Sequence, residues 1–198
     1  MQTIYSTETN SNIVTTDISD TIQLEGAESI SIQAVNTVDT PSAVVCASAS
    51  AINATTDLFT KTAHGFTTGL KVQVTTSTTL PTGISAVTDY FIVVVSADTF
   101  KLSDTLAHAL AGTNLIDITD VGTGNQTFTP VAIAGASIKA QYSNDGSNWH
   151  DYAAATNITA TASVMLVEKD RPTYRFMRTY CVITAGRFSQ VLHIAVKK

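Results

Sequence analysis

The stretch 59-FTKTAHGFTTGLKVQVTTSTTLPTGISAVTDYFIVVVSADTFKLSDTLAHALAGT-113, closed by 122-GTGNQTFTP-130, decides the reading of this chain. Lys71 to Thr75 and Tyr90 to Val95 are dense in β-branched and aromatic residues, which suit a pleated, half-buried surface. Leu80-Pro81-Thr82-Gly83 lies between them, with proline and glycine at turn-compatible positions. Helix is expected only at Ser103 to Ala111, where Leu106 and Leu110 are spaced i, i+4 and Gly112 can cap the end. From Ala51 to Pro130 the pattern is strand, turn, strand, and describes a small β module complete in itself.

Composition extends that reading to the whole chain. Threonine occurs 33 times in 198 residues, and its branched side chain is restricted in a helix and comfortable in a strand. An all-β fold is therefore expected throughout. Charged residues make up only 14% of the chain, with 11 basic against 16 acidic. The only basic run is the terminal Lys197-Lys198, so a surface that tracks phosphates has little to build on and no direct nucleic-acid partner is expected. No apolar run approaches the roughly 20 residues that span a bilayer, and no basic-plus-apolar leader opens the chain. The expectation is a soluble protein without a membrane partner. Cys46 and Cys181 allow at most one bridge, and two buried free thiols are the simpler reading.

The segments flanking the module read as one domain interrupted. Ser29 to Val35 places Ile30, Ile32 and Ala34 on one face and Ser29, Ser31 and Gln33 on the other, the period of a half-buried strand. Ser137 to Ser143 resumes this period and leads into Asn144-Asp145-Gly146, residues that tolerate positive φ and suit a tight hairpin. Ser163 to Val167, Tyr174 to Val182 and Gln190 to Val196 complete the strands. The expected organisation is an antiparallel β-sandwich host, residues 1–45 and 131–198, with a barrel-like β module inserted at 46–130. Ser29 to Val35 and Ser137 to Ser143 are expected to be antiparallel neighbours, since a folded insert can replace a loop at little cost in closure entropy. The stripe Tyr174, Phe176, Arg178, Tyr180 is expected to face the core near Trp149. Residues 2–11, QTIYSTETNS, show no alternation read as strand, and are expected to form a polar arm that orders on a neighbour.

Two spellings carry a resemblance. His-Gly-Phe-x-Thr-Gly at His64 to Gly69, Leu-Pro-x-Gly at Leu80 to Gly83, Tyr-Phe-x-Val at Tyr90 to Val93 and Asp-x-Phe-Lys-Leu at Asp98 to Leu102 resemble a β module of tailed-bacteriophage virion proteins. That module is itself related to a β-barrel subdomain of ubiquitin-activating enzymes. The C-terminal pattern IKAQYSNDGSNWHDYAAAT followed by RPTYRFMRTYCVITAGRF resembles phage virion β-sandwiches, in which Ser-Asn-Asp-Gly-x-x-Trp opens a hairpin. The resemblance implies a structural protein of a phage particle, assembled in the host cytoplasm and located in the virion. It carries no activity, because function resides in sites rather than folds.

The residues themselves direct no chemistry. His64, His108, His150 and His193 fall on different elements without metal-ligand spacing. Asp145 and Asp151 flank Trp149, yet Asn144-Asp145-Gly146 lacks the carboxylate density of a calcium loop and reads as a turn. No nucleophile elbow or phosphate-binding glycine loop is present. No catalytic residue, cofactor or metal is expected. Trp149 and Tyr152 are the candidate contact residues, for a partner or a glycan, against the plainer reading of core packing.

The expected function is that of a head decoration or cement protein, holding the major capsid protein or other virion subunits as a homo-oligomer or symmetric array. Two alternatives stand beside it. One is a tail or neck adaptor or tube-associated component. The other is a carbohydrate-binding adhesion module on the virion surface, using Trp149 and Tyr152.

Overall fold

The computed structural model describes residues 2–198 and is almost entirely antiparallel β. In chain order the elements are β1 (Thr3–Ile13), β2 (Asp17–Ile18), β3 (Ile22–Gln23), β4 (Ser29–Val38), β5 (Val44–Ala47), α1 (Ser48–Ala51), β6 (Ile52–Asn53), β7 (Leu58–Thr60), β8 (Lys71–Thr76) and β9 (Asp89–Ser96). There follow β10 (Thr99–Ser103), α2 (Leu106–Ala111), β11 (Asn125–Pro130), β12 (Ser137–Ser143), β13 (His150–Asp151), β14 (Thr156–Asn157), β15 (Ala162–Asp170), β16 (Phe176–Val182) and β17 (Phe188–Lys197). Two compact units emerge, one made of the residues up to Asp39 with Ile133–Lys198, the other of Thr40–Ala132. The inner boundaries fall at 40 and 132 rather than 46 and 130. On the first side the reason is physical: Val44 and Val45 already pair with Phe128 and Thr127 of β11.

The discontinuous unit is a sandwich of a four-stranded sheet, β1-β17-β4-β15, and a six-stranded sheet built on β13-β12-β16-β2, with β14 added to β12 and β3 to β16. Ile30, Ile32 and Ala34 of β4 and Leu192, Ile194 and Val196 of β17 share one buried core with Ile138 and Ala140 of β12 and Met177 and Cys181 of β16. Alternation along each strand supplies that core from both layers. One buried polar group in it is paired: Gln190 Nε2 donates to Asn36 Oδ1 at 2.7 Å, which avoids the cost of an orphaned amide.

Three expectations are corrected here. Ser29–Val38 and Ser137–Ser143 are not neighbours: β4 is paired along its length by β17 and β15, so it has no free edge, and β12 lies in the other sheet against β16. Period-two alternation says which face is buried and leaves the partner open. Residues 2–11 form no free arm, because β1 runs in continuous antiparallel register with β17 from Thr3↔Lys197 to Asn10↔Gln190. From Thr3 to Asn10 backbone pairing holds this strand, and of its residues only Ile13 at the end is buried in the core, which is why its polar sequence hid it. Of the expected stripe, Phe176, Arg178 and Tyr180 face away from the core, with Met177, Thr179 and Cys181 on the buried side, while Tyr174, ahead of β16, does pack against the core. Met177 and Cys181 are the apolar pair that turns the strand inward.

The inserted unit is one seven-stranded sheet in the order β5-β11-β8-β9-β10-β7-β6. Laid flat, its edge strands would stand roughly 29 Å apart, at about 4.8 Å per strand. Only the single turn α1 joins β5 to β6, so the sheet must curl strongly. The barrel stays open because no β5–β6 ladder closes it. Phe59, Phe100 and Phe128 fill the centre, with Phe100 and Phe128 edge to face at 5.1 Å, a favoured arrangement of ring quadrupoles. α2 occupies the expected helix, capped by Thr105 Oγ1 accepting from His108 N–H and by Gly112 at φ 66°.

Leu80–Gly83 shows why its turn takes a glycine. Ile84 N–H donates to Pro81 O, so Gly83 is the third residue of a β-turn, at φ 103°, a value a side chain rarely adopts. A Cβ there would lie 2.1 Å from the Asp117 carbonyl oxygen.

Candidate functional site

The outer face of the six-stranded sheet assembles the most organised surface group of the host unit. Alternation puts Lys139, Gln141 and Ser143 of β12 on the face opposite the core together with Phe176, Arg178 and Tyr180 of β16, with Gln141 and Ser143 themselves buried there. The register sets Lys139 opposite Tyr180 and Gln141 opposite Arg178, while β13 brings Asp151 beside Gln141. A continuous chain of contacts follows. Lys139 Nζ lies 2.7 Å from Asp151 Oδ2, Gln141 Nε2 donates to Asp151 Oδ1 at 2.9 Å, and Arg178 Nε donates to Gln141 Oε1 at 2.9 Å. The Arg178 guanidinium then sits 4.1 Å from the centroid of the Trp149 ring, within cation–π range. Lys139 Nζ also lies over the Tyr180 ring at 5.4 Å.

Trp149 is held in place by the loop that precedes it. The expected tight hairpin at Asn144-Asp145-Gly146 is in fact a six-residue connection between β12 and β13, organised around one carboxylate. Asp145 accepts from the backbone N–H groups of Ser147 at 2.9 Å and Asn148 at 2.8 Å, from Asn148 Nδ2 at 2.7 Å and from Ser143 Oγ at 2.9 Å. These donors, the Asn148 N–H first, hold the Asp145 carboxyl far below the ordinary carboxylate range. The Gln141 amide and then Lys139 lower Asp151 likewise, and burial lowers Arg178.

The structure does not bring Trp149 and Tyr152 together. Trp149 and Asp151 point to the outer face, whereas Tyr152 turns inward and packs against the sandwich core, 6.4 Å from Tyr174, which stacks on Tyr142 at 4.1 Å. A platform shared by the two rings is therefore not formed. The core-packing reading holds for Tyr152; Trp149 is half-buried beneath Arg178. Sequence reasoning missed the partners Lys139, Gln141, Asp151 and Arg178, although period-two spacing put Lys139 and Gln141 on one face.

The histidines are dispersed. His64 is buried, its Nε2 3.0 Å from Ser96 O while Nδ1 accepts from Phe66 N–H, so both ring nitrogens are used on backbone groups. His108 Nδ1 lies 2.6 Å from Asp104 Oδ1 on the exposed side of α2, and His150 and His193 are exposed. Cys46 and Cys181 are free and buried, with burial pushing their thiols up to about 11 and about 12. Among the described residues no group of three His, Cys, Asp or Glu side chains is placed to hold a metal ion, and no helix is long and apolar enough to cross a membrane. Within this group Lys139 pairs with Asp151, while Arg178 is held by Gln141 and the Trp149 ring. No protein-family model matches the chain, and neither curated proteins nor solved structures supply a match.

Proposed function

We propose that this protein is a structural component of a tailed-phage particle, a head decoration protein that seats on capsid subunits and adds contacts that expansion or internal pressure must break. The observation that carries the proposal is the outer face of the six-stranded sheet. Trp, Tyr and Arg dominate interface hot spots because they bury large areas at low entropic cost, and here Trp149, Arg178 and Tyr180 are already fixed by bonds within the face. A pre-ordered surface loses less freedom on docking. The resemblance of His64 to Gly69, Leu80 to Gly83 and the Trp149 hairpin to virion modules supports the particle as the setting. A docked footprint of about 1,000 Å² per contact is the scale that specificity requires, and binding to the folded shell alone raises its stability by mass action.

The test mixes purified protein with undecorated heads and follows co-sedimentation and the heads' melting temperature. Binding with a raised melting temperature, weakened about tenfold or more by Trp149→Ala or Arg178→Glu, is the expected result. Protein that ignores heads and binds isolated tails points to the adaptor alternative, and binding to host glycans alone points to adhesion; either overturns the decoration reading.

A further inference from the structure

Among the described residues, strand edges are guarded, with one exception. An exposed edge offers unpaired N–H and C=O groups, and proteins blunt such edges with short strands, charges, proline or bulges. In the six-stranded sheet β13, β14, β2 and β3 have two residues each. At the far side of the four-stranded sheet, β15 carries Glu168, Lys169 and Asp170 and a register break between Met165 and Val167. In the inserted unit the edges β5 and β6 have four and two residues. β1 has eleven residues, no proline, no lysine or arginine, and unbroken register from Thr3 to Asn10.

The ladder identifies which of its groups are free. Gln2 and Lys198 exchange both backbone bonds, N–H to O at 2.8 and 2.9 Å. Antiparallel strands alternate bonded and non-bonded pairs, so Ile4, Ser6, Glu8 and Asn10 face β17. Thr3, Tyr5, Thr7 and Thr9 aim their N–H and C=O groups at the open edge. This set is closed under one operation: an antiparallel twofold placing residue 3 opposite 9 and 5 opposite 7 lets every free group find a partner. Shifting the register by two residues strands part of the set.

We propose that β1 pairs with β1 of a second copy of this chain about a twofold axis at Ser6, joining two four-stranded sheets into a continuous eight-stranded one. Charge permits it. The only charged side chain on β1 is Glu8, and this register sets it opposite Ile4 of the other copy instead of Glu8; its carboxylate already accepts from Asn10 Nδ2 and Asp20 N–H. Tyr5, 79% exposed, comes opposite Thr7, an aromatic and β-branched cross-strand pair of the stabilising kind. A twofold interface of this sort is isologous and closes at two copies. The pairing is a property of the backbone edge and holds whether or not the chain seats on a particle, so its failure is separate from failure of the decoration reading.

The test uses the full chain in sedimentation velocity over a micromolar to millimolar series. The wild type forms dimers in rising proportion. The Tyr5→Lys/Thr7→Lys variant sets lysine opposite lysine twice while leaving the β17 ladder intact, and dimerisation weakens about tenfold or more. In the second arm Ser6→Cys stands opposite itself in a non-bonded pair, where Cα atoms are about 4.5 Å apart, within disulfide range. Oxidation then yields a covalent dimer, and the buried native thiols do not compete. A wild type that stays monomeric throughout overturns the proposal. So does a dimer that neither responds to the lysine pair nor cross-links at Ser6.

Discussion

Gly83→Ala is expected to destabilise the inserted unit by about 4 kcal/mol. Two costs combine. Holding a non-glycine residue at φ 103° costs about 1–3 kcal/mol, and a Cβ 2.1 Å from the Asp117 oxygen forces a backbone displacement of the kind that costs about 1–3 kcal/mol more. Asp117 cannot simply retreat. Its neighbour Ile116 donates its N–H to Leu102 O at 2.9 Å, and Ile118 is fully buried with its N–H on Asp57 Oδ1 at 2.9 Å. Gly112→Ala is the control, because its φ is 66° but an added Cβ meets nothing within 4 Å; only the conformational cost of about 1 kcal/mol remains. Guanidinium titration separates the two units through their probes. The single tryptophan lies in the sandwich, while circular dichroism sums both. The two cores share no residue, so Gly83→Ala moves the dichroism transition and leaves that of Trp149 in place. A Gly83→Ala loss no larger than that of Gly112→Ala refutes the close-approach argument.

Arg178→Ala removes the cation from the Trp149 ring; the emission of this sole tryptophan shifts to longer wavelength and the sandwich loses about 1 kcal/mol, whereas an unchanged spectrum denies the stack. Asp145 and Asp151 titrate below the ordinary 3.8 when folded. Their stabilisation is thus present above that value and lost as pH falls through the lower folded values. Urea midpoints measured from pH 5 downward fall in this window, less steeply in Asp145→Asn. Ellman's reagent at pH 8 reacts with neither thiol in the native chain and with both in denaturant, since Cys46 and Cys181 are buried and their pKa values are raised; prompt reaction of the native protein contradicts that burial. Gln190→Ala orphans Asn36 in the sandwich core and costs about 1–3 kcal/mol, read from the tryptophan transition.

Threonine content, period-two alternation and turn residues determined the strand-rich class, the burial of Ile30, Ile32 and Ala34 and the helix at α2. These are local properties: side-chain branching, alternation across the pleat and tolerance of positive φ act within a few residues. Three features were settled only by the tertiary structure, because each depends on atoms distant in sequence. β4 is saturated by β15 and β17, which sends β12 to the opposite layer. β1 is held as a strand by backbone bonds to β17, although nothing in its polar side chains announces it. The direction of β16 is decided by Met177 and Cys181 entering a core supplied from both sheets, and that choice alone turns Arg178 outward onto Trp149. Alternation specifies two faces; which of them meets a partner is an energy of the whole fold.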